Sequence, residues 1–407
     1  MPFLPKTSRE RWILALLLAA LAWIGLEIRL GAKYSTQRES NMNCFRWDSR
    51  TLWTFRPSFQ GTAWNQTIHT NSQGFRGGEE YALKSTHALR ILALGDSRTY
   101  GFHVKDNETF SFVLQAELRR RGVDAEVMNV GVFGFTAMQC LANLERLLPY
   151  KPDIVLFAPG YNDRRYLVTR GEDSDASFRS IARLRRIAGV LEWSNAFFAL
   201  MQEIGERKLK PLREHPPGLD RVAARVSEKR FGEELRKAGE LCRDNHIRIV
   251  YMKIYGNPSA YGLAEQAAAL YDAQNYAEAA RMLEEKRRKL AQQAHPLAMY
   301  YLGLSYQALG EKEKAAQAFA SHKPSGSIMG EAVLRSERRY FAIMDEAARQ
   351  FSATVVDGRA AAGVIASTSE DQAFASLFYD ECHYLAEGHR IMGLALADEM
   401  SKDIKKQ

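Results

Sequence analysis

Four short stretches carry residue types that can do chemistry together. In the first, an apolar run from Ile91 ends at Gly95, and Asp96 and Ser97 follow. A serine on a strand-to-helix turn stands at the rim of a sheet, with backbone N–H groups of the next helix close by. Such a hydroxyl is a poor nucleophile near neutral pH. It needs a base within hydrogen-bond reach, and that base needs an orienting carboxylate. Asp380 and His383, three residues apart on one bent segment, can supply both. The carboxylate can hold one imidazole nitrogen while the other faces Ser97. A tetrahedral intermediate then requires donors for its oxyanion. The candidates are the N–H of Ser97, the N–H of Gly134, where glycine permits close approach, and the side-chain amide of Asn162.

Each of these residues also has a plainer reading. Ser97 can cap a helix, Asn162-Asp163 can form a turn, and His383 can be a surface histidine. His103 and His389 are alternative imidazoles near the same motifs. Asp96 and Asp163 read as capping or backbone-binding residues. Gly131 competes with Gly134, and the spacing from Asn129 favours Gly134. Cys382 lies between the carboxylate and the base; as a nucleophile of its own it would need a separate histidine.

The elements that must position these residues follow an α/β pattern. Strands are expected at 91–94, from Ala125 to Val130, from Asp153 to Ala158, from Ile247 to Ile254 and from Ala353 to Asp357. Helices are expected near Thr109 to Arg120, Thr136 to Leu148, Arg225 to Asp244, Glu331 to Gln350 and Glu387 to Lys402. Ala188 to Glu206 reads as an amphipathic helix or lid, with Pro211, Pro216 and Pro217 breaking the chain after it. Strand–helix alternation argues for a parallel sheet covered on both faces. Sites in such sheets lie at the C-terminal ends of the strands, where Ser97, Gly134 and Asn162 all fall.

Taken in order, the four pieces resemble the SGNH (GDSL-type) hydrolase family. Gly95-Asp96-Ser97 resembles its first block, Asn129 to Thr136 its second and Gly160-Tyr161-Asn162-Asp163 its third, while Asp380-x-x-His383 resembles its last. The resemblance implies a three-layer α/β/α sandwich. It assigns Ser97 as nucleophile, His383 as base and Asp380 as its orienter, with Ser97, Gly134 and Asn162 forming the oxyanion hole. It implies ester cleavage or deacylation with no metal and no cofactor. It covers residues 88–170, 225–255 and 330–405; Arg98, after the nucleophile, is bulkier than in some members.

Three further segments lie outside that resemblance. Trp12 to Leu26 is apolar but for Gly25, with Lys6, Arg9 and Arg11 before it. It is long enough, with Ile28 and Leu30, to cross a bilayer. The preceding charge puts the N-terminus in the cytoplasm and the catalytic part on the far side, periplasmic or extracellular. An uncleaved anchor is favoured, because no small-x-small cleavage site follows. Residues 35–87 form a polar and aromatic lead-in, in which Thr70 to Gly77 marks a tight loop; it reads as a packed strand and turn, with Phe75 available to pack on the main domain and Arg76 to pair with an acid. Pro296 to Phe319 places Leu302-Gly303, Tyr306, Gly310, Ala315 and Phe319 as in a tetratricopeptide repeat, with a weaker copy through Leu270 to Leu283. The expected organisation is an anchor at 1–34, the lead-in, a hydrolase domain at 88–259 and 326–407, and a helical insertion at 260–325.

Composition narrows the partners. The formal net charge is +8, spread over several clusters. No zinc-finger spacing and no basic run interleaved with aromatics points to nucleic acid. Cys44, Cys140, Cys242 and Cys382 form no metal pattern and read as buried free thiols. The expected partners are an acyl-ester substrate, with an acylated envelope glycan as the candidate, the membrane through the N-terminal helix, and a protein at the helical repeats. Two other readings share these features. An O-acyltransferase would pass the same Ser97 acyl group to a polysaccharide, and a tethered scaffold would use the repeats to bind partners.

Overall fold

The computed structural model describes residues 7–41, 44–64, 66–83, 89–164, 166–167, 191, 194–214, 223–257, 266–267, 269–292, 296–321, 330–363, 373–380 and 382–404. The expected domain boundaries at 87/88, 259/260 and 325/326 lie outside these residues, as do Pro216 and Pro217.

Helix α1, Ser8–Asn41, contains the apolar stretch, whose large side chains such as Trp12, Leu16 and Leu21 are exposed. It is long and apolar enough to cross a membrane, the property of an anchor or of a signal sequence. The lead-in then folds as two short hairpins, β1 (Phe45–Asp48) with β2 (Leu52–Phe55) and β3 (Gln60–Ala63) with β4 (Gln66–His69). As expected, Phe75 is buried, and Arg76 pairs with Asp106 at 2.6 Å.

The main body is a five-stranded parallel sheet. Strand β5 (Leu89–Gly95) leads into the short helix α2 (Ser97–Tyr100) and then α3 (Phe110–Arg120). Strand β6 (Ala125–Asn129) is followed by α4 (Ala137–Leu147), and β7 (Ile154–Ala158) by the short α5 (Tyr161–Arg164). Helix α6 (Asn195–Glu214) precedes α7 (Glu228–Asp244) and β8 (Arg248–Lys253). Helices α8 (Tyr276–Gln292), α9 (Pro296–Ala308) and α10 (Lys312–Ser321) form the helical segment. Helix α11 (Gly330–Gln350), strand β9 (Thr354–Asp357) and helix α12 (Ala386–Ile404) close the chain. The strand order is β9-β8-β7-β5-β6.

The side-chain alternation of the strands builds two cores. Leu92 and Leu94 of β5, Val155 and Phe157 of β7 and Ile249 and Tyr251 of β8 join the core that α4, α7 and α11 cover. Ile91 and Ala93, Ile154 and Leu156, Val250 and Met252 face the opposite core, under α3 and α12. Strands buried on both faces are apolar along their middles, as these are; Arg90 near the start of β5 is buried and paired with Glu126 at 2.7 Å. Helix α7 shows the complementary pattern: Phe231, Leu235, Ala238 and Cys242 lie on one buried stripe, and Ser227 caps its start by accepting from Arg230 N at 3.2 Å. All four cysteines are buried free thiols.

Two details depart from the sequence expectation. Helix α6 runs through Pro211 to Glu214, although proline removes one intrahelical hydrogen bond. Its start is also capped from outside. The Glu27 carboxylate of α1 accepts from Ser194 Oγ at 2.5 Å and from Asn195 N at 2.6 Å. An acid at a helix N-terminus is favourable, so this contact ties α6 to the exit of the apolar stretch.

Candidate active site

Strand β5 must stop abruptly for Ser97 to be presented. A Cβ on Gly95 would lie 2.0 Å from Thr99 Oγ1 and 3.0 Å from Ala158 O, so only glycine fits. Asp96 then caps α2, accepting from Arg98 N at 2.9 Å, and Ser97 becomes the first helical residue. The bulky Arg98 turns inward. Its Nε and Nη2 both reach the Asp96 carboxylate, at 3.0 and 2.9 Å, and its Nη1 donates to Ile254 O at 2.6 Å. Both residues are fully buried, and a buried acid of this kind needs such a partner. Asp96 and Arg98 thus form a floor beneath the serine.

Asp380 and His383 arrive from the far end of the chain on a tight turn. Phe378 bridges Tyr384 across it, and Tyr379 N donates to His383 O at 2.8 Å. One Asp380 oxygen, Oδ1, accepts from the N–H groups of Cys382 and His383, at 2.9 and 2.8 Å. The other, Oδ2, meets His383 Nδ1 at 2.7 Å. The ionised carboxylate only accepts, so Nδ1 carries the proton and Nε2 keeps its lone pair. That nitrogen lies 2.8 Å from Ser97 Oγ. The structure therefore joins Ser97, His383 and Asp380 in one hydrogen-bonded line.

The electrostatics follow from this geometry. Burial opposes the charged form of Asp380, but the imidazoles of His103 and His383 and the Cys382 N–H outweigh it and hold the carboxyl below its usual range. Burial likewise acts to lower His383; the Cys382 sulfur and the Asp380 carboxylate reverse this and raise it well above 6.5.

The remaining candidates sit on neighbouring strand ends. Asn129, at the end of β6, donates to Thr99 O at 2.8 Å and to Ser111 Oγ at 2.9 Å, fixing the loop that follows. Gly134 in that loop has φ +75°, a conformation costly to any side chain, and its carbonyl is held by Arg225 Nη1 at 2.7 Å. Asn162 is buried in α5, and its amide donates to Asp96 Oδ2 and to Phe135 O, both at 3.2 Å. Its place is thus fixed by the floor and by the Gly134 loop, while both amide hydrogens have protein partners. Asp163 fastens the same corner from behind, accepting from Ala137 N at 2.8 Å and Gly160 N at 3.0 Å; burial pushes its carboxyl up to about 6.

A sequence model of the GDSL-like lipase/acylhydrolase family matches residues 93–391, from β5 to α12. The chain belongs to this family. It is a serine hydrolase acting on ester bonds. A search of curated proteins finds no match. Among solved structures it is similar to the α/β hydrolase enzyme LAE5 from the metagenome of Lake Arreo, at 13% identity over 79% of this chain and 98% of that one, with a TM-score of 0.40. It is also similar to Axe2, an acetylxylan esterase from Geobacillus stearothermophilus, at 14% identity over 77% and 94%, with a TM-score of 0.38. The psychrotrophic esterase EstA from Pseudoalteromonas sp. aligns at 12% identity over 78% and 99%, with a TM-score of 0.35.

Two alternatives raised by the sequence separate clearly within this GDSL-like fold. His389 is buried away from Ser97, where its Nδ1 accepts from Phe110 N at 3.3 Å, and burial lowers its pKa to about 3. His103 lies inside the site. Its Nε2 is 3.7 Å from Asp380 Oδ2, and its ring stacks on Tyr379 with centroids 3.6 Å apart. Its place just past the nucleophile turn marked it in the sequence as an alternative imidazole; only the turn after α2, where Gly101 and His103 both take positive φ, shows where it goes. A line of aromatic rings also runs from the site to Trp64 of the lead-in, which the sequence did not reveal. Phe102 stands edge-on to His383 at 5.0 Å, Phe133 lies 4.9 Å from Phe102, and Trp64 lies 5.5 Å from Phe133.

Proposed function

We propose that this protein is a membrane-anchored, extracytoplasmic esterase that works through a Ser97 acyl-enzyme. The observation that carries the reading is the line Ser97 Oγ–His383 Nε2–His383 Nδ1–Asp380 Oδ2 at the C-terminal rim of the sheet. Ser97 Oγ attacks the ester carbonyl carbon while His383 Nε2 takes its proton. Asp380 stabilises the imidazolium and keeps its orientation. The oxyanion is received by the N–H groups of Ser97 and Gly134 and by the Asn162 amide, which exchanges one of its 3.2 Å contacts for it. Collapse expels the alcohol, which takes the proton from His383. Water then attacks the acyl-serine by the reverse route, with His383 again as base.

An acylated envelope glycan is the substrate class favoured here. Trp64 and Tyr379, 38% and 58% exposed, extend the ring set of the site beyond Phe102 and His103 respectively. Such rings offer flat apolar faces to a sugar at little entropic cost. The charges before the apolar stretch of α1 support the catalytic domain's lying outside the cytoplasm. The helical segment at α8–α10 is read as tetratricopeptide-like and as a site for a protein partner.

The test is turnover by the full-length protein in detergent of p-nitrophenyl acetate and of an acetylated oligosaccharide. Free acetate from both is expected, with Ser97→Ala inactive. Acetyl transfer to a second glycan without free acetate would reassign the protein as an O-acyltransferase. No acyl chemistry with any donor would favour a scaffold.

A further inference from the structure

The relay leaves one titratable group of the site unused. His103 is held at φ +74°, a strained backbone for a residue with a side chain, and such strain clusters at functional positions. Its side chain is about nine-tenths buried, and its Nδ1 is buried with no hydrogen-bond partner. Its Nε2 faces Asp380 Oδ2 at 3.7 Å, beyond hydrogen-bond length. A buried imidazole with one nitrogen unpartnered and the other only loosely paired is costly, so its placement calls for a role.

The arrangement around it suggests one. His103, Asp380 and His383 each offer a ligand atom, and these atoms all lie within 4.8 Å of one another, the group of this kind found among the described residues. Ligands in a tetrahedral zinc site, with bonds of about 2.0–2.1 Å, lie about 3.3 Å apart. Here two of the separations are 2.7 and 3.7 Å, so modest side-chain rotation would seat an ion. Two imidazoles and one carboxylate, with a fourth position left for water, form a donor set suited to zinc and poorly suited to magnesium or calcium.

We propose that His103, Asp380 and His383 bind a zinc ion that switches the esterase off. The inference rests on the Ser97–His383 reading of the site. The ion bonds to the lone pair of His383 Nδ1, so the proton of that ring moves to Nε2. The ring stays neutral, and no proton is lost from it. Nε2–H then donates to Ser97 Oγ and can no longer accept its proton, which removes the general base. His103 coordinates through Nε2 and keeps its proton on Nδ1. Asp380 exchanges its hydrogen bond from His383 for a bond to the metal. Stripping the ion reverses every step.

The experiment uses the full-length protein in detergent, with zinc chloride as the probe and a buffer that does not chelate. Turnover of p-nitrophenyl acetate should fall as zinc is added and return fully with a chelator, while magnesium and calcium have no effect. His103→Asn suits the positive φ and removes the first ligand. It should raise the zinc concentration for half-inhibition at least about tenfold relative to its own uninhibited rate. Calorimetry should find one zinc bound per chain in the wild type and none at that affinity in His103→Asn. This readout needs no turnover, so failure of the Ser97 reading and failure of the zinc site can be told apart. Wild-type turnover indifferent to zinc, or equal sensitivity and equal binding in His103→Asn, would overturn the proposal. So would loss of zinc sensitivity in Cys382→Ser with retention in His103→Asn, which would place the ion on the thiol.

Discussion

The turn carrying Asp380 and His383 and the helical segment Tyr276–Ser321 both lie far from Ser97 in sequence, yet only the turn is bonded to it. The turn is short and owns no core; Phe378 and Tyr384 at its two ends pack into the core under α3 and α12, and Asn257 Nδ2 donates to Asp380 O at 3.1 Å. The helical segment has a core of its own, built from Ala280, Leu283, Tyr301, Leu302, Leu304 and Ala318, separate from the two cores of the sheet. It touches the main body chiefly through α6 and α11. The contrast teaches that distance along the chain says little about coupling to the site. What matters is whether a segment's polar groups are satisfied by the site or its apolar groups by one another.

Substitutions on the two sides of this contrast should therefore behave differently. On the turn, His383→Ala should remove turnover about as completely as loss of the nucleophile, since the two act as a unit. Asp380→Asn should lower kcat about 10⁴-fold by allowing the wrong tautomer. The pH profile sharpens this. His383 titrates well above 6.5 and works only when neutral, so turnover should fall as pH drops through a value above 6.5. Removing the Asp380 charge takes away part of what raises His383, so the inflection in Asp380→Asn should move to lower pH. An inflection unmoved by that change would mean that the carboxylate is not coupled to the base.

In the helical segment the effect should be on folding alone. Leu302→Ala removes a fully buried side chain and should cost the segment about 2–5 kcal/mol, read as increased amide exchange over α8–α10. Turnover of a small ester should be unchanged. A matching loss of kcat would show that the segment shapes the site.

Much of the sheet was legible because each central strand is an unbroken apolar run, and the expected strands fall within a residue or two of those observed. The turn residues were legible because the chemistry demands a base with its carboxylate. The lead-in hairpins were not, since their four-residue strands are too short for a period to show. Their anchoring is tertiary, as where Trp53 Nε1 donates to Phe133 O at 2.8 Å. Arg98 looked oversized for its position because its partners, Asp96 and Ile254 O, converge only in the fold. His103 was set aside for the same reason: nothing in the sequence says that the chain reverses after Gly101 and brings that ring to Asp380.

In the proposed mechanism one serine, held 2.8 Å from His383, takes the acyl group. The most direct measurement is covalent labelling of the full-length protein by an organophosphonate ester, followed by peptide mapping. A single adduct on Ser97 is expected, absent from Ser97→Ala and strongly slowed in His383→Ala. An adduct on Cys382 or any other residue, or ester turnover undiminished in Ser97→Ala, would contradict it.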